Sequence, residues 1–305
     1  MLPILALNGP TASGKSTLAV DVALALGARG RRAEIVNADS MLVYRGMDIG
    51  TAKPSPAERR GVPHHLIDIL DVTRTASVAD FQALARAAIA DCRARGAIPI
   101  LVGGSALYMR AILDDFDFPG TDADVRARWE AELDRVGSAA LHGVLAERAP
   151  DAVAEILPGN GRRIVRALEV LELTGSFSPH LPSWTFALDG VRSYGLELPR
   201  DVLDERIGRR VELMWEQGFV AEVEGLLSQG LREGRTASRA LGYRQILAFL
   251  DGETSEAEAK DATIRGTRRF ARKQLGWFRR DARIGWRPAG EPGLADGIAD
   301  ALAAT

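Results

Sequence analysis

Cysteine is almost missing from this chain: Cys92 is the single thiol in 305 residues. That excludes an internal disulfide and a zinc site built on several cysteines, and it fits a reducing compartment. Histidine is scarce as well, with four residues. His64 and His65 are adjacent, whereas two metal ligands on one helix face need a spacing of three or four, so no metal role is expected of them. Neither sign of charge is in excess, with 39 Lys+Arg against 41 Asp+Glu and a net of -2. Nothing global therefore demands nucleic acid or a membrane surface, although a balanced total can hide local patches. Long apolar runs are absent too. A membrane span needs roughly 18 apolar residues, and the opening MLPILALNG is shorter and lacks the basic flank of a signal peptide. A soluble, cytoplasmic protein without an obligate protein partner is expected. There is no internal repeat, low-complexity tract or heptad array.

What is present is an alternation of strands and helices. Residues 2–7 form a continuous apolar run bounded by Asn8-Gly9-Pro10, as in a strand buried on both faces. Ala19, Val22, Ala23 and Leu26 then repeat at helical spacing up to Gly27. A second strand is read over 33–38, and Ser77 is placed to cap a helix whose apolar stripe runs through Phe81, Leu84, Ala85, Ala88, Ile89 and Cys92 to a stop at Gly96. A third strand, 98–102, runs into Gly103-Gly104-Ser105. This order predicts an α/β fold, a parallel sheet flanked by helices, whose polar strand exits at 9–17, 39–40 and 103–105 gather at one edge. From about Asp115 the pattern is helical, over 122–136, 139–148 and 162–173, until 191–198 reads as strand again. The expected organisation is a core of 1–114 and 191–305 with an all-helical insertion over 115–190. Everything after Asp201 is expected to be helical.

The first strand exit carries Gly9, Pro10, Thr11, Ala12, Ser13, Gly14, Lys15, Ser16 and Thr17, matching the P-loop pattern GxxxxGK[ST]. Glycines let backbone N–H groups turn towards phosphate oxygens, Lys15 neutralises their charge, and the Ser16 hydroxyl can ligate Mg²⁺. Strand before and helix after give the sheet a P-loop NTPase-like character. The loop fixes a polyphosphate but not which bond breaks. A kinase would pass on a phosphoryl group, and an alkyl transferase would stabilise a departing diphosphate in the same cradle.

The loop is followed by Asn37-Ala38-Asp39-Ser40, VYRGMDIGTAKP at 43–54, Pro63-His64-His65-Leu66-Ile67-Asp68, Leu101-Val102-Gly103-Gly104-Ser105, RIVRALEV at 163–170, Leu241-Gly242-Tyr243-Arg244-Gln245 and TRRFARKQ at 267–274. In this order, and over nearly the whole chain, these segments resemble the tRNA dimethylallyltransferase (tRNA isopentenyltransferase) family. No Cys/His module follows the last of them, as in its short bacterial form. The resemblance implies transfer of a dimethylallyl group from dimethylallyl diphosphate to the exocyclic amine of the adenine 3′ of the anticodon in a tRNA anticodon stem-loop, and the phosphate loop itself leads us to expect Mg²⁺ as cofactor. Departures lie at 158–161, where Pro-Gly-Asn-Gly stands for Pro-Asn-Asp, and at 176–178, where a Lys-Pro pair is missing.

By that resemblance Asp39 is the general base for a poorly nucleophilic amine; the plain alternative is a turn or helix cap. Ser105, where most members carry Thr, would donate to the oxygen bridging alkyl group and diphosphate, or else simply fills a tight turn. Arg206 matches the arginine that holds the diphosphate, with Arg210 one turn later on the same face; either could instead pair with Asp204 or Glu205. Ser40, Met41 and Leu42 fall in the tRNA-contacting stretch together with Asp39 and Ser105. Arg126, Arg162, Arg163 and Arg166 in the insertion, and Arg239, Gly242, Tyr243, Arg244, Arg268 and Arg272 beyond it, occupy positions similar to further tRNA contacts. Nine basic residues against Asp281 alone between Ala262 and Arg287 suit an RNA backbone, or a solvated basic face balanced elsewhere in the fold.

Overall fold

Ile4 and Ala6 enter one core cluster while Leu5 and Leu7 enter another, which is how the apolar run of β1 (Ile4–Asn8) is buried on both faces. The computed structural model describes residues 1–116, 118–178 and 183–304. It divides into two units, Met1–Asp114 with Phe186–Thr305, and Asp115–Thr185.

In the larger unit β1 joins β2 (Arg32–Asn37), β3 (His64–His65), β4 (Ala97–Val102), β5 (Val191–Glu197) and β6 (Gly285–Pro288). The six strands run in the order β3-β2-β4-β1-β5-β6, and every pairing is parallel. One face is covered by α1 (Lys15–Ala28) and α11 (Leu294–Ala303), whose Ala19, Val22, Leu26, Ile298 and Leu302 pack on Leu5 and Leu7. Each such fully buried leucine contributes about 1.5–3 kcal/mol. The other face is covered by α3 (Val78–Ala94), and α4 (Ala106–Leu113), α8 (Phe219–Leu227), α9 (Tyr243–Leu250) and α10 (Glu256–Phe278) join it in one core cluster through Phe81, Ile89, Met109, Phe219, Ile246 and Phe278 among others. Short α2 (Pro56–Arg59) lies between β2 and β3, and α7 (Arg200–Glu216) follows β5. Ser77 caps α3 by accepting from Asp80 N–H, as its position in the sequence predicts.

Two strands depart from the sequence reading. β3 is only two residues long, and β6 interrupts a tail expected to be wholly helical. β6 pairs with β5 from Tyr194↔Gly285 to Glu197↔Pro288. As an edge strand it has one apolar anchor, Trp286, packed against the core, and a terminal proline that the edge tolerates. No helix among the described residues is long and apolar enough to cross a membrane.

The smaller unit holds α5 (Ala123–Arg148) and α6 (Gly161–Thr174). α5 breaks at Gly137, whose φ of 81° and ψ of 163° are not helical, at the junction of the two helices read from sequence. Its core gathers Trp129, Leu141, Leu145, Ile164 and Leu168, and Asn160 caps α6 through Arg163 N–H.

Candidate functional site

Parallel pairing puts the exits of β1, β2 and β4 at one edge of the sheet. Ala38 N–H donates to Val102 O at 2.8 Å, and Gly103 N–H donates to Leu7 O at 3.3 Å, so the three turns leave at the same level. They line one cavity of about 460 Å³ with Thr11–Thr17, Asp39–Leu42 and Gly103–Ser105 on its walls. Of the predicted loop residues, Gly9 and Pro10 are not on the wall. The Pro10 carbonyl accepts from Lys15 Nζ at 2.6 Å, which holds the ammonium across the loop. Gly14 takes a left-handed conformation at the N-cap of α1, and the exposed Ser16 side chain follows at the start of that helix.

Asp39 is held by a local network that begins with Asn37. Asn37 Oδ1 accepts from Asp39 N–H at 2.8 Å, and its Nδ2 donates to Asp39 O and Leu66 O. Asp39 Oδ1 accepts from Met41 N–H at 2.8 Å, so the turn-capping role is realised alongside a place in the cavity. Desolvation raises the Asp39 pKa above the ordinary carboxylate value, against the opposing pull of the Met41 N–H and the Lys15 charge. Burial pushes the Lys15 ammonium down to about 8; Asp39 opposes this and Arg210 adds to it. Ser105 is the N-cap of α4, yet its side chain makes no capping hydrogen bond. The hydroxyl therefore stands on the cavity wall without being committed to the helix end.

The structure places the two arginines of α7 differently. Arg206 is exposed and does not line the cavity, whereas Arg210, one turn further along α7, does. Burial lowers the Arg210 pKa, with Glu58 opposing. Lys15 and Arg210 thus stand on the cavity wall together with Asp39, and such clustered cations suit a multiply charged anion. Beside them Ile207, Val211, Met214 and Phe219 supply an apolar wall that the sequence reading did not identify.

The other predicted contacts separate. Ser40, Met41, Leu42 and Arg239 line the cavity. Tyr243 does too, but it is fully buried, edge-on to Phe219, and its hydroxyl donates to Glu222 at 2.6 Å, so it serves as a wall rather than an RNA-facing side chain. Gly242 is buried and Arg244 exposed. Arg268 donates through Nε and Nη2 to Asp204 O, tying α10 to α7, and Arg272 is exposed. The basic run is also less uniform than its charge count implies. α10 ends at Phe278, Arg283 pairs with Asp114 and Asp281, and Arg287 pairs with Glu291. Arg265, Arg269, Arg272, Lys273, Arg279 and Arg280 are exposed, Arg265 and Arg279 with carboxylates only at 3.9 and 4.0 Å.

The GMDIGTAKP segment is organised from behind. Glu222 accepts from the N–H groups of Asp48, Ile49 and Gly50. Lys53, its side chain nearly buried, donates to Tyr44 O, Asp48 and Asp68. A Cβ at Gly50 would lie 2.1 Å from Phe219 Cε2, so only glycine permits this approach. Gly50, Thr51, Ala52 and Pro54 then line the cavity.

Within the smaller unit, Glu169 is completely buried and receives Arg126, Arg166 and the Thr121 hydroxyl. Burial alone would raise its pKa, but the hydrogen bonds from Arg126, Thr121 and Arg166 hold the carboxyl down at about 2. Arg163 donates to Glu155 O, and Arg162 is exposed.

Glu34, His65 and Cys92 bring their ligand atoms within 4.8 Å of one another. The Glu34 oxygens are engaged by Arg95 at 2.6 and 2.8 Å and by His65 at 2.7 Å, and Arg95 foremost holds the carboxyl down at about 2. Burial pushes the Cys92 thiol up to about 11. The geometry is that of a closed ion-pair network with a protonated thiol.

The family model for IPP transferase matches residues 42–281. A protein of Kineococcus radiotolerans named tRNA dimethylallyltransferase is 62% identical over 290 residues, covering 94% of this chain and 91% of that protein. One of the same name from Thermobifida fusca is 59% identical over 297 residues, covering 97% and 93%. The crystal structure of a tRNA isopentenylpyrophosphate transferase from Bacillus halodurans superposes with a TM-score of 0.72 at 39% identity, covering 100% of this chain and 96% of that one.

Proposed function

The chain belongs to the IPP transferase family, and from that premise we propose that it transfers a dimethylallyl group from dimethylallyl diphosphate to the exocyclic amine of the adenine 3′ of the anticodon in tRNA, releasing diphosphate. The observation that carries this reading is the meeting of the phosphate loop, Asp39 and Ser105 in one cavity that Ile207, Val211 and Met214 also line. Ile207, Val211 and Met214 beside the cradle give a five-carbon alkyl group an apolar surface to lie against.

The diphosphate lies against the loop, with Lys15 and Arg210 taking its charge. As the C–O bond breaks, negative charge grows on the bridging oxygen, and the Ser105 hydroxyl donates to it. The adenine amine attacks the freed carbon, the new C–N bond forms, and Asp39 takes the proton that the nitrogen loses. The raised pKa of Asp39 makes its carboxylate form a better proton acceptor than an exposed carboxylate. Mg²⁺ fits this donor set, since a hard cation accepts one hydroxyl together with diphosphate oxygens and water. Ser16 would hold it, and it would neutralise charge on the diphosphate.

The test is direct. Purified protein is incubated with labelled dimethylallyl diphosphate, Mg²⁺ and unmodified tRNA, and the label is located by digestion and mass spectrometry. Label on the adenine 3′ of the anticodon is expected. Phosphorylation of RNA or a small acceptor from a nucleoside triphosphate, with the prenyl donor untouched, would overturn the reading.

The titrating groups also fix a pH profile. kcat/KM for the diphosphate donor reports the free enzyme, so it rises as pH increases through the elevated pKa of Asp39, which must be ionised. It falls above about 8 as Lys15 loses its proton. Lys15→Arg is expected to remove the alkaline limb and leave the acid limb in place. An alkaline limb that persists in that variant assigns it to another group.

A further inference from the structure

Gln274 is buried in α10, 6% exposed, and its amide joins two segments far apart in the chain. Thr11 N–H donates to Oε1 at 2.9 Å, and Nε2 donates to Gly104 O at 2.7 Å. A donor on one side and an acceptor on the other admit only this orientation of the amide. The approach is close. A Cβ at Gly104 would stand 2.5 Å from Nε2, so a residue with a side chain there would push the amide away.

Both partners belong to the cavity wall, as does Gln274 itself. Thr11 is in the phosphate loop, and Gly104 immediately precedes Ser105. α10 is anchored on either side of Gln274 by Ala271 and Phe278, each in a core cluster, so the amide hangs from a fixed support. The turn bearing Ser105 has a longer tie to the sheet, Gly103 N–H to Leu7 O at 3.3 Å.

We propose that Gln274 is a positioning residue that sets the separation between the phosphate loop and the Ser105 hydroxyl: its amide stands on the cavity wall but is committed at both ends to these two backbone bonds, through which it acts. The inference rests on the reading of the loop and Ser105 given above. Because the Thr11 N–H is committed to Gln274, the donors left to phosphate are those further along the loop. The bridge therefore bears on how the leaving oxygen meets Ser105 more than on how tightly diphosphate binds. A misplacement of about 1 Å costs up to about 10²-fold in rate.

Gln274→Met keeps the length of the side chain and removes both bonds. Its kcat for label transfer is expected to fall about 10- to 100-fold, with KM for dimethylallyl diphosphate and for tRNA changed by less than about threefold. Gln274→Glu keeps the acceptor for Thr11 and loses the donor to Gly104, and it is expected to lose kcat in the same way. The decisive measurement is a cycle with Ser105→Ala. If Gln274 acts through that hydroxyl, the second substitution costs less than about threefold in the Gln274→Met background, whereas independent roles multiply. Thermal melts of each variant separate loss of fold from loss of geometry. Wild-type turnover in Gln274→Met, a loss confined to KM, or multiplying losses would overturn the positioning role and leave the functional reading standing. A wild-type protein that transfers no label would overturn both.

Discussion

Replacing Asp39 by asparagine is expected to lower single-turnover transfer by about 10²- to 10⁴-fold, the range for losing a positioned base, with tRNA affinity almost unchanged. Asparagine is the informative choice because its Oδ1 can still accept from Met41 N–H. The turn survives while the basic oxygen is lost. The adenine amine has its lone pair drawn into the ring, so it gains much from a base that takes its proton as the C–N bond forms. Desolvation has already raised the proton affinity of this carboxylate. Rates measured with saturating labelled donor, alongside filter binding of tRNA, separate the two effects. A rate within about tenfold of wild type would remove Asp39 from proton transfer.

Arg210→Ala is expected to reduce kcat/KM for dimethylallyl diphosphate by about 10²- to 10³-fold, as for the loss of one donor to a developing oxyanion. Arg206→Ala should stay within about threefold of wild type, as surface changes usually do. The two arginines share a helix face, but four residues of helix separate them by roughly 6 Å along the axis, and the cavity meets α7 at Ile207, Arg210, Val211 and Met214. The same substitution should move the alkaline limb of the pH profile upward, since Arg210 is one of the causes holding the Lys15 pKa down. A large loss in Arg206→Ala, with Arg210→Ala near wild type, would return the diphosphate contact to the exposed arginine.

These two residues also show what could be read from sequence. Asp39 follows a strand, and parallel strands deliver their exits to one edge, so its meeting with the loop and Ser105 follows from topology alone. Arg206 and Arg210 share a periodicity, and periodicity gives the face of a helix but not the point along it where a cavity opens. β1 and β4 were legible because burial on both faces leaves an unbroken apolar run. β3 and β6 were not, being two and four residues long, too short for any period to register. Gln274 lay in a quoted motif, yet its partners are 263 and 170 residues away, and no local pattern encodes a bond of that reach. The basic run illustrates the converse: counting charges overstated it, because Arg283 and Arg287 lie beyond the helix and face carboxylates.

The segment around Gly50 is tied by Glu222 through three amide hydrogens and crowded by Phe219. It therefore cannot be transplanted alone. Grafted into another scaffold it would arrive without its counter-carboxylate and would collapse or splay. A recombination between relatives with a single boundary between these two regions must therefore carry matched versions of both, whereas an exchange of Asp115–Thr185 alone leaves both with one parent.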